Sequence, residues 1–188
     1  MELFLSERDH ANTVFLSPDG RAVYHTDTPV KLFSGRSTKI YKHNAGFGGR
    51  QKEMGLVELH GWGNDVVDVG GRSFQPYRAG IFSTSEEFVA SNNCLYKWKN
   101  PVRALLSKPD SQMIAFYDPG SIGFFSKGHP PKLTILPQGM PIADEIVTTL
   151  IYMAEKSRQR KRRARRRAGG TMGGTPSAGG SLAGSSSF

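Results

Sequence analysis

A dense run of basic residues near the C-terminal end is the stretch of this chain whose chemistry points most clearly to a partner. Nine Lys and Arg lie between residues 156 and 167, and no acidic residue follows residue 155. Ammonium and guanidinium groups bind phosphate oxygens, so the run predicts contact with an anionic surface. The residues assigned to this contact are Arg158, Arg160, Lys161, Arg162, Arg163, Arg165, Arg166 and Arg167.

The sequence leaves three interpretations of this run open. Anionic lipid headgroups, phosphoinositides among them, are the first, since each basic residue near such a surface contributes about 1 kcal/mol. A nuclear import receptor or nucleic acid is the second, because Arg-rich clusters neutralise phosphates and have the composition of import signals. The third is a solubilising tail without a partner. No aromatic residue lies between 156 and 167, which disfavours stacking on single-stranded bases.

A second, smaller basic pair alternates with aromatic residues. In Tyr96-Lys97-Trp98-Lys99, a strand would place the aromatic side chains on one face and the two lysines on the other. A half-buried strand with a solvated outer face explains this pattern. The alternative is an anion-binding patch, so Lys97 and Lys99 are also candidate residues for an anionic partner.

The remaining reactive side chains form no recognisable catalytic, cofactor or metal site. The five histidines lack the spacing of metal ligands, and Cys94 is expected to pack within a strand. The Gly-rich loop 45–50 lacks the Lys-Ser/Thr pair of a phosphate-binding loop. Four acidic residues are expected to be solvated charges at strand edges, namely Asp65, Asp68, Glu86 and Glu87. We therefore predict a non-enzymatic protein without cofactor or metal; the alternative is an enzyme whose site the sequence does not disclose.

The charge is unevenly distributed along the 188 residues. The whole chain carries 25 Lys and Arg against 16 Asp and Glu, whereas residues 1–155 hold 16 of each, so a domain-wide basic face is not expected. The chain has one cysteine, no signal-peptide pattern at its start and no apolar run near the ~20 residues of a membrane span. These features predict an intracellular protein, cytoplasmic or nuclear, without a transmembrane segment. We also expect a monomer.

The elements that must position the basic run follow from the periodicity of the apolar residues. Up to about residue 136 the chain contains roughly a dozen short β-like runs at the 8–12-residue spacing of a sandwich or barrel, with turn signals such as Gly70-Gly71 between them. From Ile142 the apolar residues fall at helical spacing, which predicts a helix over about 142–158. This helix is apolar nearly all round, and in an all-β domain only the interior of a closed sheet would bury it.

We therefore predict a mainly β fold, a closed antiparallel barrel of about twelve strands that encloses one C-terminal apolar helix. The barrel and helix would form a single domain over residues 1–159. Residues 160–188, first basic and then Gly/Ser-rich, are expected to be a disordered tail, because they offer too little apolar surface to offset the entropy of ordering.

Several segments carry a resemblance to an uncharacterised fungal family, the domain of unknown function 6593. The two most specific are Tyr96-Lys97-Trp98-Lys99 and the helix that begins Ala143-Asp144-Glu145-Ile146-Val147, followed by basic residues. Weaker ones are Asn12-Thr13-Val14, Tyr24 with Thr28-Pro29, Thr38-Lys39-Ile40-Tyr41 and Val57-Glu58-Leu59-His60. The expected architecture is also similar to the Tubby C-terminal and LURP-one-like folds. Some proteins of that wider group bind phosphoinositides, so the resemblance implies a lipid-binding module and carries over no catalytic residue.

Overall fold

The computed structural model describes residues 1–29, 36–43, 51–60, 63–81, 83–99, 104–121 and 128–169. The predicted loop at 45–50, the predicted strand at 122–125 and the part of the predicted tail at 170–188 lie outside the described residues.

Within the described ranges, thirteen strands form one antiparallel sheet. In chain order they are β1 Glu2–Leu5, β2 Thr13–Leu16, β3 Ala22–Asp27, β4 Arg36–His43, β5 Gln51–Leu59, β6 Val66–Val69, β7 Arg72–Phe74, β8 Tyr77–Arg78, β9 Glu86–Val89, β10 Leu95–Lys99, β11 Ala104–Lys108, β12 Met113–Asp118 and β13 Lys132–Ile135. The order across the sheet is β7-β6-β5-β4-β3-β2-β1-β13-β12-β11-β10-β9-β8. The first and last strands of the chain therefore pair at its centre, with Leu3 opposite Leu133.

The sequence predicted most of these strands and the turns between them. Gly20 and the pair Gly70 and Gly71 take positive φ angles of 79°, 61° and 84°, which confirms the glycine turns. Asn93 also has a positive φ, 58°, in the turn between β9 and β10. The two-residue strand β8 was not predicted, because Tyr77 and Arg78 are too few to show a period.

The C-terminal helix is longer than the sequence predicted. A 3-10 helix at Pro137–Ile142 leads into α1, which spans Ala143–Gly169. The predicted end near residue 158 is therefore wrong, and residues 160–169, predicted as the start of a disordered tail, are helical. Arg, Lys, Gln and Ala have high helix propensity, and a helix already formed at 143–158 extends without a second nucleation step.

The first part of α1 is buried by both halves of the sheet. Ile146, Val147, Leu150 and Ile151 are all 0% exposed. Strands on both sides of the central pair contact the helix through polar side chains. Tyr24 of β3 donates its hydroxyl to Asp144 at 2.7 Å, and Trp98 of β10 donates its indole N–H to Thr149 Oγ1 at 2.9 Å. The sheet therefore curves around the helix, and the expectation that the helix is buried on all sides is confirmed.

The predicted closure of the sheet into a barrel is wrong. Among the described residues, no backbone ladder joins the edge strands β7 and β8, although only Gln75 and Pro76 separate them in the chain. Proline has no amide hydrogen to donate and restricts the residue before it to extended backbone, so this link does not form a hairpin. Beside the gap, Arg72 donates its Nη2 to the carbonyl of Val89 at 2.9 Å. A side chain therefore connects the two ends of the sheet.

Replacing Gly55 with Ala is expected to destabilise the domain, because β5 approaches the helix closely at this glycine. A Cβ at this position would lie 2.9 Å from Thr148 Oγ1 and 3.0 Å from the carbonyl oxygen of Asp68. Overpacking of this kind costs about 1–3 kcal/mol. Urea unfolding of Gly55→Ala should show this loss, and unchanged stability would mean that the strand and the helix separate more easily than the geometry indicates.

Candidate functional site

The basic run begins with three residues that ion pairs fix to the sheet. Lys156 pairs with Asp65, Arg158 with Asp9 at 2.6 Å, and Arg160 with Glu86. Each acid lies far from its partner in the chain, by up to 149 residues.

These ion pairs tie the middle of α1 to the centre of the sheet and to both of its ends. Asp9 follows β1, Asp65 precedes β6, and Glu86 begins β9. Burial alone would raise the pKa of Asp9. The hydrogen bond from Arg158 and the other contacts of this carboxylate together outweigh burial, so the pKa lies below its ordinary value. The ionised carboxylate is therefore the stable form beside Arg158. Arg158 and Arg160, both predicted to contact a partner, are also part of the fold.

The last turns of α1 present the remaining basic residues to solvent. Every residue from 161 to 167 is exposed. Six of these seven residues are basic, namely Lys161, Arg162, Arg163, Arg165, Arg166 and Arg167. We call this segment the basic helix end. The structure therefore displays six of the predicted residues on a helix that is anchored in the core.

Lys97 and Lys99 do not join the basic helix end. Cross-strand partners share a face of the sheet, so Trp98 and Glu86 point toward the helix, whereas Lys97 and Glu87 point outward. Lys97 lies 3.9 Å from Glu87. Lys99 is exposed at the end of β10. The predicted alternation of this strand is confirmed, and its two lysines form a separate outer surface.

The predicted solvation of the acidic residues is wrong for three of the four. Asp65 is 6% exposed, Glu86 is 3% exposed and Glu87 is 7% exposed. Each of them pairs with a basic side chain; for Glu87 this is Lys108 at 2.6 Å. A carboxylate is buried without large cost only when such partners are present, and these partners lie on other elements. Asp68 is only partly buried, and it accepts a hydrogen bond from Ser73 Oγ at 2.9 Å.

A turn with an exposed isoleucine lies beside the middle of α1. The amide of Ala79 donates to the carbonyl of Ser85 at 3.1 Å, which closes a turn between β8 and β9. Within it, Ile81 is 86% exposed. Arg160 Nη1 donates to the carbonyl of Thr84 at 3.3 Å, so this turn is held next to the helix just before the basic helix end begins. Sequence reasoning missed this neighbour because it depends on a contact across 76 residues.

A second charged cluster surrounds Glu155 on α1. Arg36 Nε lies 2.9 Å from Glu155, and Arg158 lies 3.6 Å from it. Burial raises the pKa of Glu155, although both arginines act to lower it. Close by, burial lowers the pKa of His10 from its ordinary 6.5 to about 4, and the charge of Arg158 acts in the same direction. His10 is therefore neutral in the folded protein near pH 7.

Replacing His10 with Gln is expected to remove part of the pH dependence of stability. The folded pKa of His10 lies below the unfolded value, so the unfolded chain binds more protons between about pH 4 and 6.5, and stability falls as the pH falls through this window. Between pH 7 and pH 5 this residue should account for a loss of about 2 kcal/mol. The raised pKa of Glu155 has the opposite effect, because it makes the folded protein more stable as the pH falls. Both proteins contain Glu155, so the difference in pH dependence between wild type and His10→Gln isolates the contribution of the histidine. Equal pH dependence of both proteins in urea unfolding would contradict this assignment.

The structure also brings together residues that the sequence kept apart. His25 Nδ1 and His43 Nε2 lie 3.1 Å apart on neighbouring strands. No group of three or more His, Cys, Asp or Glu suited to a metal ion occurs in the ranges that the structure describes. Cys94, expected to pack within a strand, is instead exposed immediately before β10.

Comparison with known proteins places most of the chain in a protein family. Residues 8–159 match the model of a protein family described only as a family of unknown function, DUF6593. A search of curated proteins and a search of solved structures both gave no match. The matched segment contains most of the sheet and the buried part of α1, and it ends before the basic helix end.

Proposed function

The chain belongs to the family of unknown function DUF6593, and we propose that it is a non-enzymatic binding module that engages anionic lipid headgroups at a membrane surface through its basic helix end. The observation that carries this proposal is the exposure of six basic residues on the last turns of a helix whose first turns are buried. The family membership itself supplies no activity.

The rigid attachment of the basic helix end supports a binding role over a purely solubilising one. Ion pairs from Lys156, Arg158 and Arg160 hold the preceding turns of α1 against the sheet. The positive charges after them are thereby concentrated at one position on the surface. A preorganised charged segment loses less entropy on binding than a flexible tail with the same composition.

The exposed isoleucine in the turn beside the helix favours lipid over nucleic acid. Ile81 is 86% exposed, and Arg160 connects its turn to α1. An exposed aliphatic side chain next to a cluster of positive charge suits a membrane interface, where the charges meet headgroups and the side chain enters the acyl boundary. Phosphates of nucleic acid would use the charges but would leave Ile81 without a role.

The association would be peripheral. In the part of the chain that the structure describes, no helix combines the length and apolar composition required to span a bilayer. The expected resemblance to Tubby and LURP-one-like proteins supports a lipid partner, because some of that group bind phosphoinositides. This resemblance, the fungal origin and the intracellular location stay predictions.

Neutralising the basic helix end is expected to abolish binding to anionic vesicles. Because each basic residue near such a surface contributes about 1 kcal/mol, vesicle affinity should fall by more than about a hundredfold. The variant changes six residues to Gln, namely Lys161, Arg162, Arg163, Arg165, Arg166 and Arg167. Flotation with phosphatidylcholine vesicles, with and without phosphatidylserine, measures the effect at physiological salt.

Ile81→Ser provides the second arm of this experiment, and Met113→Ser is its matched control. Met113 is 44% exposed on β12, and β10 and β11 separate this strand from β9, where the turn of Ile81 ends. Loss of an inserted aliphatic side chain should weaken vesicle binding about tenfold in Ile81→Ser and leave Met113→Ser unchanged. If wild type does not float with phosphatidylserine vesicles, the proposal is wrong. Binding to duplex oligonucleotides that is equally strong in wild type and Ile81→Ser would favour the nucleic-acid alternative instead.

A further inference from the structure

A polar cavity of about 360 Å³ lies where the gap in the sheet meets the helix. One wall is a single face of α1, formed by Lys156, Arg160 and Arg163 at i, i+4 and i+7. The opposite wall includes Tyr77 and Arg78 of the edge strand β8. Because no ladder joins β7 and β8 among the described residues, the side of the helix here faces a cavity rather than another strand.

The cavity has an excess of positive charge. Four basic side chains line it, from Arg78, Lys156, Arg160 and Arg163, whereas only two carboxylates do, from Asp65 and Glu86. The formal balance is therefore two positive charges within one small volume. Like charges held this close repel one another, and an anion that carries two charges would relieve this repulsion.

The two carboxylates hold the basic residues in position. Asp65 accepts hydrogen bonds from Lys156 and from the amide of His60, the latter at 3.1 Å, and Glu86 accepts one from Arg160. Both acids are almost fully buried. Lys156 and Arg160 are thus oriented before any ligand arrives, which lowers the entropic cost of binding.

One cationic side chain at the cavity is available for a ligand. It is not Arg160, because both Nη atoms of Arg160 donate to protein acceptors, on Thr84 and Glu86, and its Nε is buried. Arg78 is exposed, and no acidic side chain in the described ranges forms an ion pair with it. Guanidinium donors match the oxygens of phosphate, often in a bidentate arrangement.

From this arrangement we propose that the cavity is a binding site for a phosphate monoester, whose two negative charges match the excess charge of its walls. Arg78 donates to the phosphate oxygens, and Lys156, Arg160 and Arg163 complete the positive field. A volume of about 360 Å³ is at the lower end for ligand pockets, so it suits a phosphorylated headgroup or a small phosphorylated metabolite.

The phosphate can come from a soluble molecule or from a lipid headgroup. The lipid source rests on the proposed membrane function, because the exposed Ile81 and the basic helix end would bring the cavity to a bilayer. The phosphate site itself does not depend on that function. The phosphate site and the proposed membrane function can therefore fail separately.

Titration with glycerol phosphate, followed in amide NMR spectra of the full chain, tests the site. We expect saturable shifts of amides that line the cavity, and glycerophosphocholine, a diester, should give none. Arg78→Gln should weaken binding by about tenfold or more, because a hydrogen bond to a charged group is usually worth that much. Lys52→Gln is the matched control, since Lys52 is an exposed cation at the far end of β5 and should leave the affinity unchanged.

Vesicles distinguish the two sources. Weaker binding of Arg78→Gln to phosphatidylcholine vesicles that contain phosphatidic acid, with unchanged binding to those that contain phosphatidylserine, would support the site with a lipid source. Loss of glycerol phosphate binding in Arg78→Gln without any such vesicle effect would support it with a soluble source. Absence of cavity shifts with glycerol phosphate, or equal weakening by Arg78→Gln and Lys52→Gln, would overturn the site while flotation with phosphatidylserine could still support the proposed function.

Discussion

Replacing Val147 with Asp is expected to unfold the whole domain. Val147 is 0% exposed on the part of α1 that the sheet surrounds, so the new carboxylate would be buried without a partner. An unpaired buried charge costs several kcal/mol, against a total stability of about 5–15 kcal/mol for a domain of this kind. Leu150→Asp should behave in the same way, since Leu150 is also fully buried. Circular dichroism and thermal melting would show the loss.

Ala164→Asp is the control for these two variants, because it introduces the same charge into the same helix at an exposed position. We expect it to melt within a few degrees of wild type. A Val147→Asp protein that stays soluble and melts cooperatively near the wild-type temperature would show that the helix contributes little to the core, and the described packing would then be wrong.

Replacing Glu145 with Ala should cost about 3–5 kcal/mol, the usual result of breaking a buried charged network. Glu145 is 5% exposed in the first turn of α1. It accepts hydrogen bonds from the amide and the hydroxyl of Ser91, at 2.7 and 2.9 Å, and from Arg72 at 3.1 Å. Without the carboxylate, Arg72 and the Ser91 amide lose their partner at the point where a side chain bridges the two ends of the sheet.

Glu53→Ala is the matched control for Glu145→Ala. Glu53 also forms an ion pair, with Lys39 at 2.9 Å, but both side chains are more than 40% exposed. Surface pairs contribute about 0–1 kcal/mol, so urea unfolding should show a small change for Glu53→Ala and a large one for Glu145→Ala. Similar losses in both variants would mean that the contacts of Glu145 do not hold the helix to the sheet.

Much of the fold follows from periodicity within short segments. Alternation in Tyr96-Lys97-Trp98-Lys99 correctly predicted that the aromatic side chains share the buried face of a strand, and the spacing from Ile142 correctly predicted a buried helix. Closure of the sheet did not follow in this way. It depends on the pairing of β7 with β8, of which β8 is too short to be recognised, and on Pro76 between them.

The candidate site was predictable only in part. The basic composition of 156–167 was visible in the sequence, but the division between residues fixed to the sheet and residues exposed to solvent was not. That division depends on Asp9, Asp65 and Glu86, which are distant from the basic run in the chain. Asp65 and Glu86 were expected to be solvated rather than paired. The position of Ile81 beside the helix depends on the same kind of long-range contact.

The sequence by itself determined a mainly β domain, one buried helix near its C-terminal end and a net charge concentrated after residue 155, because each of these is a property of consecutive residues. Only the tertiary structure decided which arginines are tied down and where the cavity lies. Those outcomes arise from contacts between side chains that are as many as 149 positions apart in the chain, and the periodicity of a short segment does not indicate such contacts.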